Sequence, residues 1–246
     1  MKERFPVSSS EVHPKAVRQA YDQAYRESDF LRDTDASYRW ALRKLEVIPG
    51  SRLLDIAFGL GIMLKEAQRK GVDVSGVEIS TTAAMIVQQS LPNARLCLAF
   101  GELLPFAENS FDFVTILGSL EHFLDPAKGL QEINRVLKPD GRAAILLPNG
   151  YYLPDMILKV WLKGYGPSHH QMVERFGAAN EWRAFLEENG LRVLKKYKYN
   201  FKLPQTVGDW EWFLKHPKKL IPPILGIFIP FNFSFSFLYI CSPKKK

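Results

Sequence analysis

Apolar residues follow two different spacings along this 246-residue chain. Short runs that are almost wholly apolar predict buried strands, and apolar residues at every third or fourth position predict helices. The predicted strands are residues 52–56, 72–77, 94–99, 111–117, 143–147, 192–199 and 233–240. The predicted helices are residues 11–26, 34–45, 62–70, 81–90, 126–137 and 179–189. Regular alternation of strand and helix predicts an α/β fold with a doubly wound parallel sheet.

Three segments interrupt this alternation. The sequence KPDG at 138–141 predicts a turn that stops the preceding helix. Residues 151–170 are aromatic and contain glycine, which predicts an irregular insertion over one edge of the sheet. Residues 221–243 contain no charged side chain, but they contain Pro222, Pro223 and Pro230 and an alternating apolar pattern at 231–237. That alternation favours a strand over a membrane-spanning helix.

Charge and cysteine content limit the partners and the cellular compartment that we expect. The net charge of +7 comes from basic residues scattered along the chain, so we expect no nucleic-acid partner. Two cysteines in apolar stretches and no apolar leader at the start predict free thiols and a cytoplasmic protein. The apolar segment 220–231 follows Lys215, Lys218 and Lys219, a pattern that predicts peripheral membrane contact. The alternative is that this segment packs as core against the insertion.

The sequence LLDIAFGLG at 53–61 joins a buried carboxylate to two closely spaced glycines. Asp55 ends the first predicted strand, where open parallel sheets bind ligands. Gly59 and Gly61 allow a sharp turn and close approach of a ligand to the backbone N–H groups. A tight turn without a ligand is the alternative interpretation.

Glu78 lies 23 residues after Asp55, near the end of the second predicted strand. A carboxylate at that place accepts hydrogen bonds from both hydroxyls of a ribose, which indicates an adenosine cofactor. A dinucleotide is disfavoured because Ile62 or Leu64 occupies the position of the third glycine of its fingerprint.

Five segments together resemble a known family in both order and spacing. They are LLDIAFGLG, VSGVEIS, LLPFAENSFDFV, LGSLEH and VLKPDGRAAILLPN, within residues 52–149. They resemble class I S-adenosylmethionine-dependent methyltransferases, most closely the ubiquinone and menaquinone branch. The resemblance implies a Rossmann-like seven-stranded sheet whose last strand is antiparallel. It also implies S-adenosyl-L-methionine as cofactor, S-adenosyl-L-homocysteine as product and a small lipophilic or aromatic acceptor.

The resemblance also assigns roles to individual residues. It places the methionine end of the cofactor, the ribose, the adenine and the sulfonium in that order along the chain. The corresponding positions are Asp55, Ala57, Phe58, Gly59 and Gly61 for the methionine end, Glu78 for the ribose, Ile79, Gly101 and Glu102 for the adenine, and Leu117 and Gly118 for the sulfonium pocket. A single domain follows, with a helical cap at 1–50, a cofactor-binding core at 51–149, a lid at 150–178 and the last helix and strands at 179–246.

Several residues depart from the family pattern. Ala57 replaces the usual first glycine, and Phe58 and Leu60 are bulkier than usual. Phe100 replaces an aspartate that often contacts the adenine amino group, so that contact passes to Glu102 or is lost. These departures leave two alternatives to an active enzyme: an inactive cofactor-binding relative, and a membrane-surface interaction protein.

Three histidines are candidates for acid–base chemistry at the acceptor. His122 directly follows the fourth strand, and His169 and His170 follow the insertion. Their alternative roles are a loop cap for His122 and a lid tether for the pair. Glu121 either orients an amine, binds a metal or is an ordinary helix-entry carboxylate. No Cys/His group has ligand spacing, so we expect no metal site. Analogy slightly favours oxygen over carbon or nitrogen as the methyl acceptor.

Overall fold

The computed structural model describes residues 13–27, 35–166 and 173–244. In that part of the chain, seven strands form one sheet with helices on both faces. The strands are β1 (Arg52–Ile56), β2 (Asp73–Glu78), β3 (Arg95–Leu98), β4 (Phe111–Leu117), β5 (Leu137–Pro148), β6 (Leu191–Tyr199) and β7 (Ser236–Pro243). The helices are α1 (Pro14–Glu27), α2 (Asp35–Leu45), α3 (Ile62–Gln68), α4 (Thr81–Ser90), α5 (Pro126–Val136), α6 (Leu153–Asp155), α7 (Ala179–Glu188), α8 (Val207–Lys215) and α9 (Ile221–Phe228).

The strand order is β3-β2-β1-β4-β5-β7-β6. The first five strands pair in parallel, and β7 lies antiparallel between β5 and β6. This confirms the predicted fold class, including the antiparallel last strand. The direction in which strands are added to the sheet reverses at β1. Strands β2 and β3 lie on one side of β1, and after β3 the chain crosses to β4 on the other side. Ligands of such sheets bind at the carboxyl ends of the strands next to this reversal.

Two apolar layers hold the helices to the sheet. On one face, Ile116 and Ile145 pack with residues of α5 and α7, including Ile133. On the other, Leu42 of α2 and Leu64 of α3 pack against the strands. Both faces of the central strands are therefore covered, which explains why their sequences are nearly continuous apolar runs.

The predicted turn KPDG at 138–141 is a bulge within β5. The helix does end just before it, at Val136, but strand pairing with β4 has already begun at Leu137. Phe111 pairs with Leu137 and Phe113 pairs with Arg142, so four residues of β5 lie opposite the single residue Asp112. The prediction that residues 138–141 lie outside the strand was therefore wrong.

The prediction of irregular structure at 151–170 was wrong for residues 153–163, which are helical. Helix α6 continues into a π-helical segment, Met156–Trp161. The last strand starts at Ser236 instead of residue 233, because Phe231–Phe233 form a 3-10 turn after Pro230.

Helices α8 and α9 were not predicted from the sequence. The prolines of α9, Pro222 and Pro223, occupy its first turn, where no backbone N–H is needed for the helix. Proline at those positions is therefore compatible with a helix, although it obscures the apolar periodicity. Among the described residues, no helix is both long and apolar enough to cross a membrane.

Candidate functional site

Two adjoining cavities open at the carboxyl ends of β1, β2 and β4. The first has a volume of about 600 Å³ and the second about 620 Å³. They share five lining residues: Tyr21, Tyr25, Ala57, Ser119 and His122. Helix α1 supplies both tyrosines and so covers the place where the two cavities meet.

The turn after β1 has a left-handed backbone at three positions. Ala57, Gly59 and Gly61 have φ angles of +57°, +53° and +71°. A Cβ atom on Gly61 would lie 2.7 Å from Val87 Cγ1, so the glycine is required by packing as well as by φ. Ala57 adopts φ that costs an ordinary residue about 1–2 kcal/mol, which explains why glycine is favoured at its position. Its N–H donates to Val77 O at 2.7 Å, a bond that holds the turn in place.

Asp55 lies beneath this turn and lines the second cavity. Its side chain is buried, and Thr115 Oγ1 donates a hydrogen bond to Asp55 Oδ1 at 2.6 Å. The two residues are direct neighbours in the pairing of β1 with β4. Sheet register therefore sets the orientation of this carboxyl group.

Glu78 ties the end of β2 to the turn after β1. Its Oε2 accepts a hydrogen bond from Gly59 N at 3.0 Å. Its Oε1 accepts from Ile79 N at 2.8 Å and from Ser80 N at 3.0 Å. The carboxylate is 3% exposed and lines the first cavity. A carboxylate oxygen has two lone pairs, so Oε2 retains one acceptor position for a ligand hydroxyl.

The bulky residues of the turn leave the cavities open. Phe58 is 5% exposed and packs against Gly76, where a Cβ atom would lie 2.5 Å from Phe58 Cδ1. Leu60 lines the second cavity beside Gly59. Phe100 lines the first cavity, with the guanidinium carbon of Arg18 5.8 Å from its ring centre.

Glu102 supports a loop that borders the first cavity. Its Oε1 accepts a hydrogen bond from Leu124 N at 2.9 Å. Burial raises the pKa of Glu102, and the backbone N–H groups of Leu124 and Asp125 oppose that rise. A contact of Glu102 with the adenine, as predicted, therefore has to form while Glu102 keeps its hydrogen bond from Leu124 N.

His122 lies in the short 3-10 turn that follows β4, Leu120–His122. Its Nδ1 is 2.6 Å from Val173 O. Because a carbonyl oxygen only accepts, Nδ1 is the donor of this bond, and Nε2 is an acceptor when the ring is neutral. The Nε2 atom lies 3.7 Å from Glu121 Oε1. Burial raises the pKa of Glu121 to about 8, and its buried Oε2 has no hydrogen-bond partner among the residues that the structure describes.

The structure brings most of the predicted site residues to these cavities. The first is lined by Ala57, Glu78, Ile79, Gly101, Glu102 and His122. The second is lined by Asp55, Ala57, Phe58, Gly59, Leu117, Gly118 and His122. Gly61 lines neither cavity, because it packs on α4. His169 and His170 lie outside the described residues. The individual roles stay predictions.

Three lining tyrosines were missed in the sequence. Tyr21 and Tyr25 of α1 and Tyr38 of α2 contribute their rings to the cavities. The four-residue spacing of the first two indicates a single helix face, but nothing in the sequence places that face over the sheet. Among the described residues, no group of three or more histidine, cysteine or acidic side chains is arranged to hold a metal ion.

Two buried carboxyl groups should make the ligand-free protein less stable at alkaline pH. Burial raises the pKa of Asp55 to about 7 and that of Glu121 to about 8. Both values lie above those of the unfolded chain, so the folded protein holds these protons more tightly. The resulting stability is present below about pH 4 and is lost as pH rises to about 8. We expect the melting temperature to fall between about pH 5 and pH 8.

Glu121→Gln should make the fall in stability with pH less steep, because glutamine has no proton to lose. One such proton contributes up to about 1.4 kcal/mol per pH unit to the free energy of unfolding. Glu132→Gln is the control, because Arg135 lowers the pKa of Glu132 and keeps it ionised over this range. A Glu121→Gln profile as steep as that of the wild type would contradict the prediction. Differential scanning calorimetry at several pH values provides the measurement.

Comparison with known proteins supports the resemblance drawn from the sequence. A family model described as a methyltransferase domain matches residues 54–145. The matched segment and the relatives below support a class I S-adenosylmethionine-dependent methyltransferase domain in this part of the chain. The resemblance drawn from the sequence is thereby confirmed, as is S-adenosylmethionine as the cofactor of the family.

The curated relatives include quinone methyltransferases. The chain is 35% identical over 141 residues to a demethylmenaquinone methyltransferase of Corynebacterium kroppenstedtii, covering 55% of this chain and 61% of the relative. It is 32% identical over 145 residues to the ubiquinone/menaquinone biosynthesis C-methyltransferase UbiE of Geotalea daltonii, covering 53% and 62%. The chain thus spans about three fifths of the length of these relatives.

Solved structures share the fold at low sequence identity. A Burkholderia thailandensis 1,6-didemethyltoxoflavin-N1-methyltransferase superposes with a TM-score of 0.66 at 19% identity, covering 98% of this chain and 94% of that one. The [4+2]-cyclase SpnF superposes with a TM-score of 0.67 at 16% identity, covering 96% and 98%. These likenesses establish the architecture alone.

Proposed function

We propose that this methyltransferase transfers a methyl group from S-adenosylmethionine to a small lipophilic aromatic acceptor of the quinol type. One observation carries the proposal. Asp55 and Glu78, buried at the carboxyl ends of adjacent strands, line adjoining cavities that share His122. Cofactor groups and a proton acceptor would then meet in one enclosed space.

The residues present fit this cofactor. Glu78 has an acceptor position left for a ribose hydroxyl, and Asp55 lies at the other end of the same turn. A side chain at Gly118 would extend into the second cavity, since its φ is +68° and the nearest atom to an added Cβ is 3.9 Å away. Ile79 and Phe100 give the first cavity apolar walls for a purine. The bound cofactor supplies an electrophilic methyl group on a sulfonium.

The chain itself contributes alignment, exclusion of water and one proton acceptor. Tyr21 and Tyr25 cover the junction of the two cavities, which keeps bulk water from it. His122 Nε2 accepts the proton of an acceptor hydroxyl, because the bond from Nδ1 to Val173 O fixes the tautomer. Loss of that proton makes both the oxygen and the ortho carbon of a phenol more nucleophilic.

The relatives favour carbon as the methylated atom. The name of the Geotalea daltonii relative specifies C-methylation in ubiquinone and menaquinone biosynthesis. The oxygen preference drawn from the sequence rested on analogy alone and stays a prediction. We propose ring-carbon methylation of a reduced quinone as the first reaction to test.

Incubation with S-adenosylmethionine and a short-chain reduced demethylnaphthoquinone tests the function. We expect S-adenosylhomocysteine to form together with a product heavier by one methylene, which NMR places on the ring carbon. A methoxy signal instead would assign O-methylation. Cofactor binding without turnover across phenolic and quinol acceptors would favour an inactive relative. Absence of any binding by calorimetry would favour an interaction protein that keeps only the fold.

A further inference from the structure

An apolar surface covers the outer faces of α8 and α9. On α8, Val207, Trp210 and Leu214 are exposed and follow one helix face at spacings of three and four residues. On α9, the exposed side chains are Ile221, Ile224, Leu225, Ile227 and Phe228. Phe228 is 79% exposed and Val207 is 76% exposed. Glu211 is also exposed on this side of α8. Scattered apolar residues are normal on a protein surface, but adjoining helices that each expose several large apolar side chains indicate a binding surface.

The inner face of α8 packs against the rest of the protein, so its apolar outer face points to solvent. Phe213 is 2% exposed and anchors the helix. Asp209 pairs with Arg39 of α2 and also accepts a hydrogen bond from Thr206 N at 3.0 Å. These contacts leave the α8 face with Trp210 turned away from the protein body.

Helix α9 is held just as closely by residues at the end of β6. Asn200 Nδ2 donates to Gly226 O at 2.9 Å, and a Cβ atom on Gly226 would lie 2.4 Å from Asn200 Cβ. Lys198 Nζ donates to Ile227 O at 3.0 Å and to Ile229 O at 2.8 Å. The helix therefore cannot turn its apolar face inward without breaking this anchorage.

Positive charge lies at the junction of the two helices. Lys215 ends α8, Lys218 and Lys219 follow it, and none of the three forms an ion pair with any residue that the structure describes. The sequence from Ile221 to Pro243 contains no charged residue. An apolar face bordered by lysines matches a bilayer, whose apolar interior is bordered by acidic headgroups.

We propose that the α8–α9 surface docks on an anionic lipid bilayer. The membrane contact predicted at 220–231 is thereby extended to α8, which the sequence did not indicate. A second copy of the chain is a poorer occupant. In a twofold contact the same surface meets itself, which would bring the lysine clusters of both copies together.

Helix α2 connects α8 to the proposed acceptor site. Arg39 of α2 pairs with Asp209 on the inner face of α8, and the preceding residue, Tyr38, lines the second cavity. One helix thus contacts both α8 and the cavity. This part of the inference rests on the proposed function, since a lipophilic acceptor dissolved in the bilayer would then enter from the adjacent surface.

Vesicle flotation with the full chain tests the docking surface. We expect binding to vesicles with about 30% phosphatidylglycerol and at least about tenfold weaker binding to pure phosphatidylcholine. Ile227→Glu should weaken binding to the anionic vesicles at least about tenfold, since it places a charge on the apolar face. Replacement of Lys215, Lys218 and Lys219 by glutamine should remove the preference for anionic lipid and its dependence on salt.

Ile48→Glu is the matched control. Ile48 is 63% exposed against 58% for Ile227, but it lies before the amino end of β1, whereas α8 and α9 follow the carboxyl end of β6, which runs in the same direction as β1. We expect this variant to bind vesicles within about twofold of the wild type. Equal loss in both variants, or no binding by the wild type, would overturn the proposal. A wild-type dimer that Ile227→Glu converts to a monomer would also overturn it, in favour of a second copy. The assay contains no acceptor, so vesicle binding can succeed even if methyl transfer fails.

Discussion

Glu78→Ala will weaken the binding of S-adenosylhomocysteine by about tenfold to a hundredfold, or about 1.5–3 kcal/mol. The lost interaction is a charge-assisted hydrogen bond from a ribose hydroxyl to the acceptor position left on Glu78 Oε2. Isothermal titration calorimetry on the wild type and the variant provides the measurement. Unchanged affinity would mean that the ribose lies elsewhere, and the assignment of the first cavity would fail with it.

The same substitution should also destabilise the ligand-free protein. Alanine would leave the N–H groups of Gly59, Ile79 and Ser80 without their acceptor, and each buried unpaired group costs about 1–3 kcal/mol. Glu78→Gln separates the two effects, because its one oxygen still accepts from the backbone. We expect Glu78→Gln to recover part of the melting temperature while binding stays weakened.

Glu132→Ala is the control for this pair of variants. Glu132 Oε2 also accepts a backbone hydrogen bond, from Leu104 N at 2.8 Å, but Glu132 lines neither cavity. It should therefore lower the melting temperature and leave the affinity for S-adenosylhomocysteine within about twofold. Equal losses of affinity for Glu78→Gln and Glu132→Ala would show that general destabilisation explains both.

The cofactor side of the site was predictable because its signals are local. A buried strand must end before the chain turns, so the position of Asp55 follows from the apolar run before it. Gly59 and Gly61 mark the turn because only glycine adopts their φ at little cost. Such features depend on residues within a few positions of each other.

The position of α1 over the cavities and the α8–α9 surface were not predictable, because both depend on contacts between residues far apart in the sequence. Helix α1 covers the cavities through Tyr21 and Tyr25, and no property of its own sequence specifies that partner. The three backbone hydrogen bonds that Glu78 accepts were also not predictable, since one of them comes from Gly59 in the turn after β1. The packing of Phe58 on Gly76 was hidden in the same way, since it joins the turn after β1 to the next strand.

His122→Asn should lower kcat for a quinol acceptor by about a hundredfold or more, the usual effect of removing a general base. Asparagine places its amide nitrogen near the position of Nδ1, so the bond to Val173 O is retained and only Nε2 is lost. Affinity for S-adenosylhomocysteine should stay within about threefold, since we assign no cofactor contact to Nε2. Steady-state kinetics with a water-soluble quinol and parallel calorimetry measure the two quantities.

Two further variants decide whether the loss comes from the proton acceptor. His122→Gln carries its amide further along the side chain and cannot make the Nδ1 contact, so it should lose activity and also loosen the loop. His216→Asn is the matched control, because His216 Nδ1 lies 2.9 Å from the backbone oxygen of Trp212 but outside both cavities. Its kcat should stay within about twofold of the wild type. If His122→Asn retains full activity at all pH values, the acceptor loses its proton to another group, and His122 serves only to cap the loop after β4.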